Sequence, residues 1–512
     1  MLQIKNLTIT HKKDLRPLLS DFSFVLRPGD KAAVIGEEGN GKSTLLKLIA
    51  KDPDAERYVE YSGEILRNEK PIGYLKQEWE EEDKKRSVFD WISSLPSFYD
   101  QTPKELSALA SRLHFPLDLF FSEQKIGTLS GGERTKLQFA RLLLDAPDIL
   151  LLDEPSNDMD MDTLEWLEQF ISTCPQPVLF ISHDETLLER TANVIIHLEL
   201  VRKKSVPRHT IARTSYLAYV EQRTRQMERQ EQAAKKEQSE FEKKQTRLHR
   251  MEQKVAHQQN AISRQDPFGA AILKKKMHSV KSMERRFEKE KDSLTKRPDF
   301  EEAIFFRFSD QIQIPAGKQV LDFQLPVLKV GEKILAQNIR LSVIGPEKIG
   351  IFGENGVGKS SLLKQVAASF SNRSDLFAAY MPQNYEDVLN MEQTPVEALS
   401  HTGTKEEISR ICTYLGSLKY TKEECSHPIR ELSGGQKAKI LLLSLSLSGC
   451  PVLLLDEPTR NFSPLSNPVI RDMLRSYSGA IISVSHDRKF LREVCTRQYR
   501  LTPEGLILAE VE

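Results

Sequence analysis

The octet Gly36-Glu-Glu-Gly39-Asn-Gly41-Lys42-Ser43 returns more than three hundred residues later as Gly353-Glu-Asn-Gly356-Val-Gly358-Lys359-Ser360. Each copy is followed by the same motifs in the same order. The first train runs Gln77, Leu-Ser130-Gly-Gly132-Glu133, Leu-Leu-Leu-Asp153-Glu154-Pro and Ser-His183-Asp. The second runs Gln383, Leu-Ser433-Gly-Gly435-Gln436, Leu-Leu-Leu-Asp456-Glu457-Pro and Ser-His486-Asp. Ser130 to Asp153 and Ser433 to Asp456 both span 23 positions, and Asp153 to His183 and Asp456 to His486 both span 30. A lone glycine-lysine octet is a modest signal; an ordered train repeated with its spacing is a specific one. The chain must therefore fold into two copies of one phosphate-binding module.

Each copy alternates short apolar runs with helical patterns. Lys31-Ala-Ala-Val-Ile and Lys348-Ile-Gly-Ile-Phe read as buried strands entering glycine loops. The runs into Asp153 and Asp456 are continuously apolar, as strands covered on both faces are. Strand, loop and helix in alternation indicate an α/β sheet. Three parts emerge: a first module over residues 1–200, a basic middle over 201–299, and a second module over 300–512.

The middle follows another rule. Between Thr214 and Lys296 it holds one Pro and one Gly, together in Asp266-Pro267-Phe268-Gly269. Phe241, Leu248, Val255 and Ile262 recur every seven residues, and after the break so do Leu273, Val280, Phe287 and Leu294. Two heptad stripes around a Pro/Gly turn predict a long antiparallel α-helical hairpin, with Met251 and Met277 extending the seam. At ~1.5 Å per residue the returning helix reaches roughly 45 Å. Formal net charge over the whole chain is zero. Residues 202–298 nevertheless hold 26 Lys+Arg against 12 Asp+Glu, a net of +14 that the rest of the chain balances. This asymmetry points to a polyanion such as a nucleic acid as partner of the hairpin.

The remaining composition narrows the class. Apolar runs such as Ile440–Leu447 are too short to cross a bilayer, and the N-terminus carries no signal-peptide pattern. The five cysteines form no Cys-x-x-Cys pair, which suits reduced thiols in a cytoplasmic protein.

The motifs assign chemistry. Glycine loops at Gly36, Gly39, Gly41 and at Gly353, Gly356, Gly358 turn backbone N–H groups toward the phosphates of ATP at a helix N-terminus. Lys42 and Lys359 neutralise β/γ oxygens, with Thr44 and Ser361 in the same turns. Ser43 and Ser360, with Asp153 and Asp456, are the expected Mg²⁺ ligands. Glu154 and Glu457 are placed to orient or deprotonate the attacking water. Gln77 and Gln383 can reach both metal and water, and His183 and His486 the γ-phosphate.

With these residues the chain resembles the ATP-binding cassette superfamily, whose signature is Leu-Ser-Gly-Gly-Glu/Gln. The resemblance implies that each signature closes over the nucleotide of the other cassette. Ser433, Gly435 and Gln436 would complete the Lys42 site, and Ser130, Gly132 and Glu133 the Lys359 site, within one monomer. The duplicated train together with the hairpin resembles, over essentially the whole chain, the ABC-F family. That resemblance implies a soluble ATPase that binds the ribosomal E site and aims its hairpin at P-site tRNA and the peptidyl-transferase centre of 23S rRNA. There it would protect the ribosome from bound antibiotics. Tip residues Arg264, Gln265, Asp266, Pro267 and Phe268 would lie nearest the drug site, with Lys274, Lys275 and Lys276 on RNA phosphates. The expected architecture is α/β: two P-loop ABC-type ATPase domains joined by a long antiparallel helical hairpin.

Departures from the family pattern qualify this. The segment after Glu154 reads Pro-Ser-Asn157-Asp158-Met-Asp160, whereas Ser463 stands where the second cassette should have an aspartate. The two sites are thus expected to differ in rate. An adenine-stacking aromatic is not obvious; His11 and the Lys329-Val330 pair stand near the expected positions. The span from Gly36 to Gln77 leaves no room for the long tRNA-contacting arm of several housekeeping members, and the chain stops soon after the second cassette. A general translation factor relieving stalled ribosomes is the main alternative. A transporter ATPase has no use for a basic hairpin, and a DNA-repair ATPase would carry zinc-binding cysteine clusters. Neither a membrane nor DNA is an expected partner.

Overall fold

The computed structural model describes residues 2–67, 71–77, 79–157, 159–201, 205–261, 267–293, 295, 308, 312–371, 373 and 375–509, without the side chains of 259–261, 267–270 and 288–293. Two compact units emerge. One comprises Met1–Tyr216 and Glu301–Glu512; the other is Leu217–Phe300.

The first unit contains the two modules. Each is built on a six-stranded sheet with the same strand order. In the first the order is Ile72–Leu75, Ile149–Asp153, Val178–Ile181, Lys31–Ile35, Val194–Leu200 and Val206–Ala212. In the second it is Ala378–Met381, Val452–Asp456, Ala480–Val484, Lys348–Phe352, Arg497–Thr502 and Gly505–Ala509. Five strands run parallel and the last returns antiparallel. The central strands are buried at every position, which accounts for their continuously apolar sequences. Parallel register places Asp153 beside Ile181 and Asp456 beside Val484, one residue before each Ser-His-Asp motif. The acidic and histidine motifs thereby share one carboxyl edge of each sheet, the edge where open α/β sheets bind ligands.

Each module also has an antiparallel layer, and here they differ. In the first, Leu2–His11 pairs with both Pro17–Leu26 and Val59–Leu66. In the second, among the described residues, the layer is the pair Gln319–Val330 and Lys333–Ile344. The second module passes from its Lys359–Phe370 helix to Ala378–Met381 through too few residues to form a third strand. The first sheet extends past the boundary at about residue 200 expected from sequence. Val206–Ala212 pairs along Val194–Leu200, and the following helix begins at Tyr216.

The second unit is the hairpin, helices Tyr216–Ala261 and Pro267–Ser293. Phe241, Leu248, Val255, Leu273 and Val280 are buried, and the rings of Phe241 and Phe287 lie 6.3 Å apart. Thr295 donates its N–H to Glu237 at 2.7 Å, tying the end of the return to the first helix. Met251 is 39% exposed and does not extend the seam; the half-buried positions beside the stripe are Glu252 and Ala256, which leaves Met251 on the flank. Met277 is half-buried. Ile262, Leu294, Arg264, Gln265 and Asp266 lie outside the described residues, as do the side chains of Pro267 and Phe268. Lys274, Lys275 and Lys276 are exposed.

Candidate functional site

The two glycine loops have the same local build. Gly36 takes φ +144°, and a Cβ there would stand 2.1 Å from the Leu198 carbonyl oxygen, so only glycine lets the loop leave its strand. The helices Lys42–Ala50 and Lys359–Phe370 follow directly. Lys42 donates to the carbonyls of Gly36 (2.8 Å) and Glu37 (2.9 Å). Lys359 does the same to Gly353 (2.9 Å) and Glu354 (2.8 Å). Both ammonium groups are therefore held over their own loops, where phosphate oxygens can replace the carbonyls. Thr44 is buried inside its helix, and Ser361 lines the cavity described below.

Beside each lysine sits a metal-ligand pair. Ser43 Oγ donates to Asp153 at 2.9 Å, and Tyr74 donates to the other carboxylate oxygen at 3.3 Å. Burial, opposed by the Ser43 hydrogen bond, pushes Asp153 up to about 6. Asp456 is buried, raised by desolvation, and keeps one carboxylate oxygen without a partner. A hard cation suits such a site, since it satisfies the orphaned oxygen and compensates the buried charge. Ser43 with Asp153 and Ser360 with Asp456 would hold Mg²⁺, which would supply charge neutralisation for the phosphates.

The adjoining glutamates take left-handed backbone conformations, Glu154 at φ 48° and Glu457 at φ 53°. A non-glycine residue held there is strained, and such strain collects at functional sites. Glu154 is surrounded. It accepts from Gln77 at 3.2 Å and Asn157 at 2.7 Å, and His183 Nε2 lies 3.3 Å away. Burial raises its pKa, but His183, Lys42 and Asn157 outweigh this and hold it at about 2. Glu457 accepts from the Ser485 hydroxyl at 3.4 Å and the His486 N–H at 3.3 Å, with His486 Nε2 at 3.9 Å. Burial and the neighbouring Asp456 push it up to about 7. Burial, with Lys359 and Arg460 nearby, lowers His486 to about 3, so its imidazole is neutral. His183 Nδ1 meets the Phe462 carbonyl oxygen of the other module at 2.8 Å, while His486 Nδ1 is buried without a partner.

The signature motifs are helix caps. Ser130 accepts from the Glu133 N–H, while the Glu133 carboxylate accepts from the Ser130 N–H at 2.8 Å. Ser433 and Gln436 form the same reciprocal box. The helices Gly131–Leu144 and Gly434–Ser448 thus begin in a fixed turn with first-turn N–H groups facing outward.

The modules meet at two composite sites that are not alike. A cavity of about 890 Å³ joins Ser130, Gly131 and Glu133 of the first signature to Lys359, Ser360, Gln383, Glu457 and His486 of the second module. Val330, Lys333 and Leu335 also line it, and His11 Nδ1 lies 2.8 Å from Asp14. Gly132 is not on the cavity wall; a Cβ there would stand 2.6 Å from the Thr163 hydroxyl. On this side Asp160 caps its own helix and accepts from the Asn355 N–H. Asp158 lies outside the described residues. The Lys42 site is built with the acids exchanged: Glu38 of the glycine loop accepts the Gly435 N–H, and Glu37 accepts from Lys439 at 2.8 Å and Ser466 at 2.9 Å. The sequence reading missed these residues, although Glu38 opposite Asn355 in the aligned octets was a visible signal.

The family model described as ABC transporter matches residues 19–157 and 336–460, one match on each module. Ribosome protection protein VmlR of Bacillus subtilis is 30% identical over 94% of this chain and 83% of its own length. The chain belongs to the ABC-F family. Other relatives of this ABC-F protein are the putative ATP-binding protein YdiF of B. subtilis, 28% identical over 98% of this chain and 80% of its own length, and ABC transporter F family member 2 of Arabidopsis thaliana, 24% identical over 96% and 75%. In fold it is similar to an archaeal ribosome recycling factor, aABCE1, with a TM-score of 0.58, 17% identity and coverage of 98% of this chain and 89% of that one. As an ABC-F protein with two cassettes it is an ATP hydrolase. Among the described residues no helix is long and apolar enough to cross a membrane.

Proposed function

We propose that this ABC-F ATPase protects the ribosome from antibiotics. In the ATP state it binds the ribosomal E site and uses its hairpin to act near the peptidyl-transferase centre, contacting 23S rRNA and P-site tRNA. The observation that carries this reading is the hairpin: a separate compact unit with an apolar seam and exposed Lys274, Lys275 and Lys276. Such a unit suits phosphate contacts made without base readout. The similarity to a relative named for ribosome protection supports it. ATP and Mg²⁺ would occupy both composite sites of a single monomer. Lys42 and Lys359 would neutralise phosphates, Glu154 and Glu457 would orient the attacking water with Gln77 and Gln383, and His183 and His486 would sense the γ-phosphate. Cytoplasmic location follows from a ribosomal partner.

The test is the double substitution Glu154→Gln with Glu457→Gln, which removes the water-activating carboxylates and leaves phosphate binding intact. Hydrolysis should fall at least about 100-fold, the range for loss of a general base. The ATP-bound protein should sediment with ribosomes, and the wild-type gene should raise tolerance to lincosamide, streptogramin A or pleuromutilin drugs. Protein that stays at the top of the gradient would refute ribosome binding. Co-sedimentation with unchanged drug tolerance would favour a general translation factor.

A further inference from the structure

The Lys42 site already contains an anion. The helix Gly434–Ser448 begins with N–H groups that its capping box leaves facing outward, and the Gly435 N–H donates to Glu38 Oε2. A Cβ built on Gly434 would lie 3.2 Å from both Glu38 carboxylate oxygens, and one on Gly435 3.4 Å from Oε2, so the carboxylate sits directly over the signature turn. Its neighbour Glu37 anchors it there. Glu37 pairs with the buried Lys439 and accepts from Ser466, both in the second cassette. The Lys359 site is built differently among the described residues. Asn355 stands in place of Glu38, and the first signature opens onto the cavity.

We infer that Glu38 is a specificity-determining residue of the Lys42 site, an internal carboxylate that holds the place a γ-phosphate must take and so biases that site against triphosphate. This rests on the reading that each signature closes over the nucleotide of the other cassette. A helix N-terminus binds one anion well, because its N–H groups and dipole are satisfied once. Two anions at one turn repel strongly in a partly desolvated site. ATP must therefore displace Glu38, whereas ADP, one phosphate shorter, leaves it in place. The Lys359 site then loads triphosphate first, and the Lys42 site discriminates less between ATP and ADP.

The test uses the full chain with Lys359→Ala to silence the other site. Affinities for a non-hydrolysable ATP analogue and for ADP are measured by titration calorimetry in that background, with and without Glu38→Gln or Glu38→Asn. Each substitution should tighten the triphosphate about tenfold and leave ADP within twofold. As a control, Glu354→Gln in a Lys42→Ala background should leave the triphosphate/ADP ratio at the Lys359 site unchanged. Equal changes for both nucleotides, or weaker triphosphate binding, would overturn the role of Glu38. A Ser433→Arg substitution separates the underlying reading. If it leaves triphosphate binding in the Lys359→Ala background unaltered, the signature does not close this site at all and the inference fails with it.

Discussion

At the residue scale, the two nucleotide sites show how a departure in one motif is answered in another. Ser463 replaces the aspartate that the first cassette has as Asp160. Taken alone this looks like decay of the second cassette. The structure gives a reason. Asp160 faces a glycine loop bearing Asn355, whereas the stretch from Ser463 to Ser466 faces a loop bearing Glu37 and Glu38. An aspartate at 463 would put a third carboxylate against two, with Lys439 as the paired cation. The acid has changed sides, and a hydroxyl now meets it. The signature serines carry a prediction at the same scale. Ser433 was expected only to contact nucleotide, yet it caps a helix. Ser433→Ala should cost about 1 kcal/mol of stability through the lost cap as well as impairing nucleotide-driven closure. Ser433→Asp retains a capping oxygen, so its urea midpoint should stay near wild type while ATP turnover falls, because the added charge faces a phosphate. Equal stability loss in both variants would show that the cap is unimportant.

At the scale of elements, the hairpin depends on a narrow seam. Its helices are long and strongly charged, and among the described residues the buried positions along the seam include Ala234, Phe241, Leu248 and Val255 on one helix and Leu273 and Val280 on the other. A two-helix unit has little other core, so each seam residue matters. Leu248→Ala should cost about 2 kcal/mol, the low end for a buried leucine, because one flank of the seam is open to water and can relax. Amide exchange over residues 241–255 and 273–287 should accelerate, while basal ATPase activity, which resides in the other compact unit, stays at the wild-type level. The seam was legible in sequence because a seven-residue repeat depends only on local periodicity. So were the sheets, because a strand covered on both faces must be continuously apolar, as the runs into Asp153 and Asp456 are. Met251 misled because three positions from Leu248 is also seam spacing, whereas here the half-buried companion is Glu252, four positions on, which leaves Met251 at the exposed flank. The last strand of the first sheet, Val206–Ala212, escaped because none of its residues is fully buried and its short run has Pro207 at the second position and is broken by Arg208, His209 and Thr210. The contacts of Glu37, Glu38 and Lys439 escaped for another reason. They join residues some four hundred positions apart, and no local pattern encodes which loop faces which helix.

At the scale of the whole molecule, the cassettes are joined away from nucleotide by a heterologous ion network. After His183 the first cassette carries Glu185 and Glu189, while after His486 the second carries Arg488 and Lys489. Arg471 donates to Glu185 at 2.5 Å and to Glu493 at 2.7 Å; Lys489 lies 3.1 Å from Glu185, and Arg488 reaches Glu168 and Asp184. Arg471 and Glu185 are 4% and 5% exposed. Equivalent helices of the two cassettes thus bear opposite charge, so each suits the other and repels its own copy, which favours pairing within one chain over pairing between chains. The energetics give the final prediction. Removing one partner of a buried pair strands the other charge, at a cost of about 3–5 kcal/mol, whereas replacing both with apolar residues is often neutral. Arg471→Met should therefore lower the unfolding free energy, measured by urea titration, by the low end of that range, since Lys489 still neutralises Glu185. Adding Glu185→Met should restore much of the loss, but not all, because Lys489 and Glu493 then each lose a partner. A double-mutant cycle in which the two losses simply add would mean that the pair is not coupled, and that the cassettes are held together by their nucleotide faces alone.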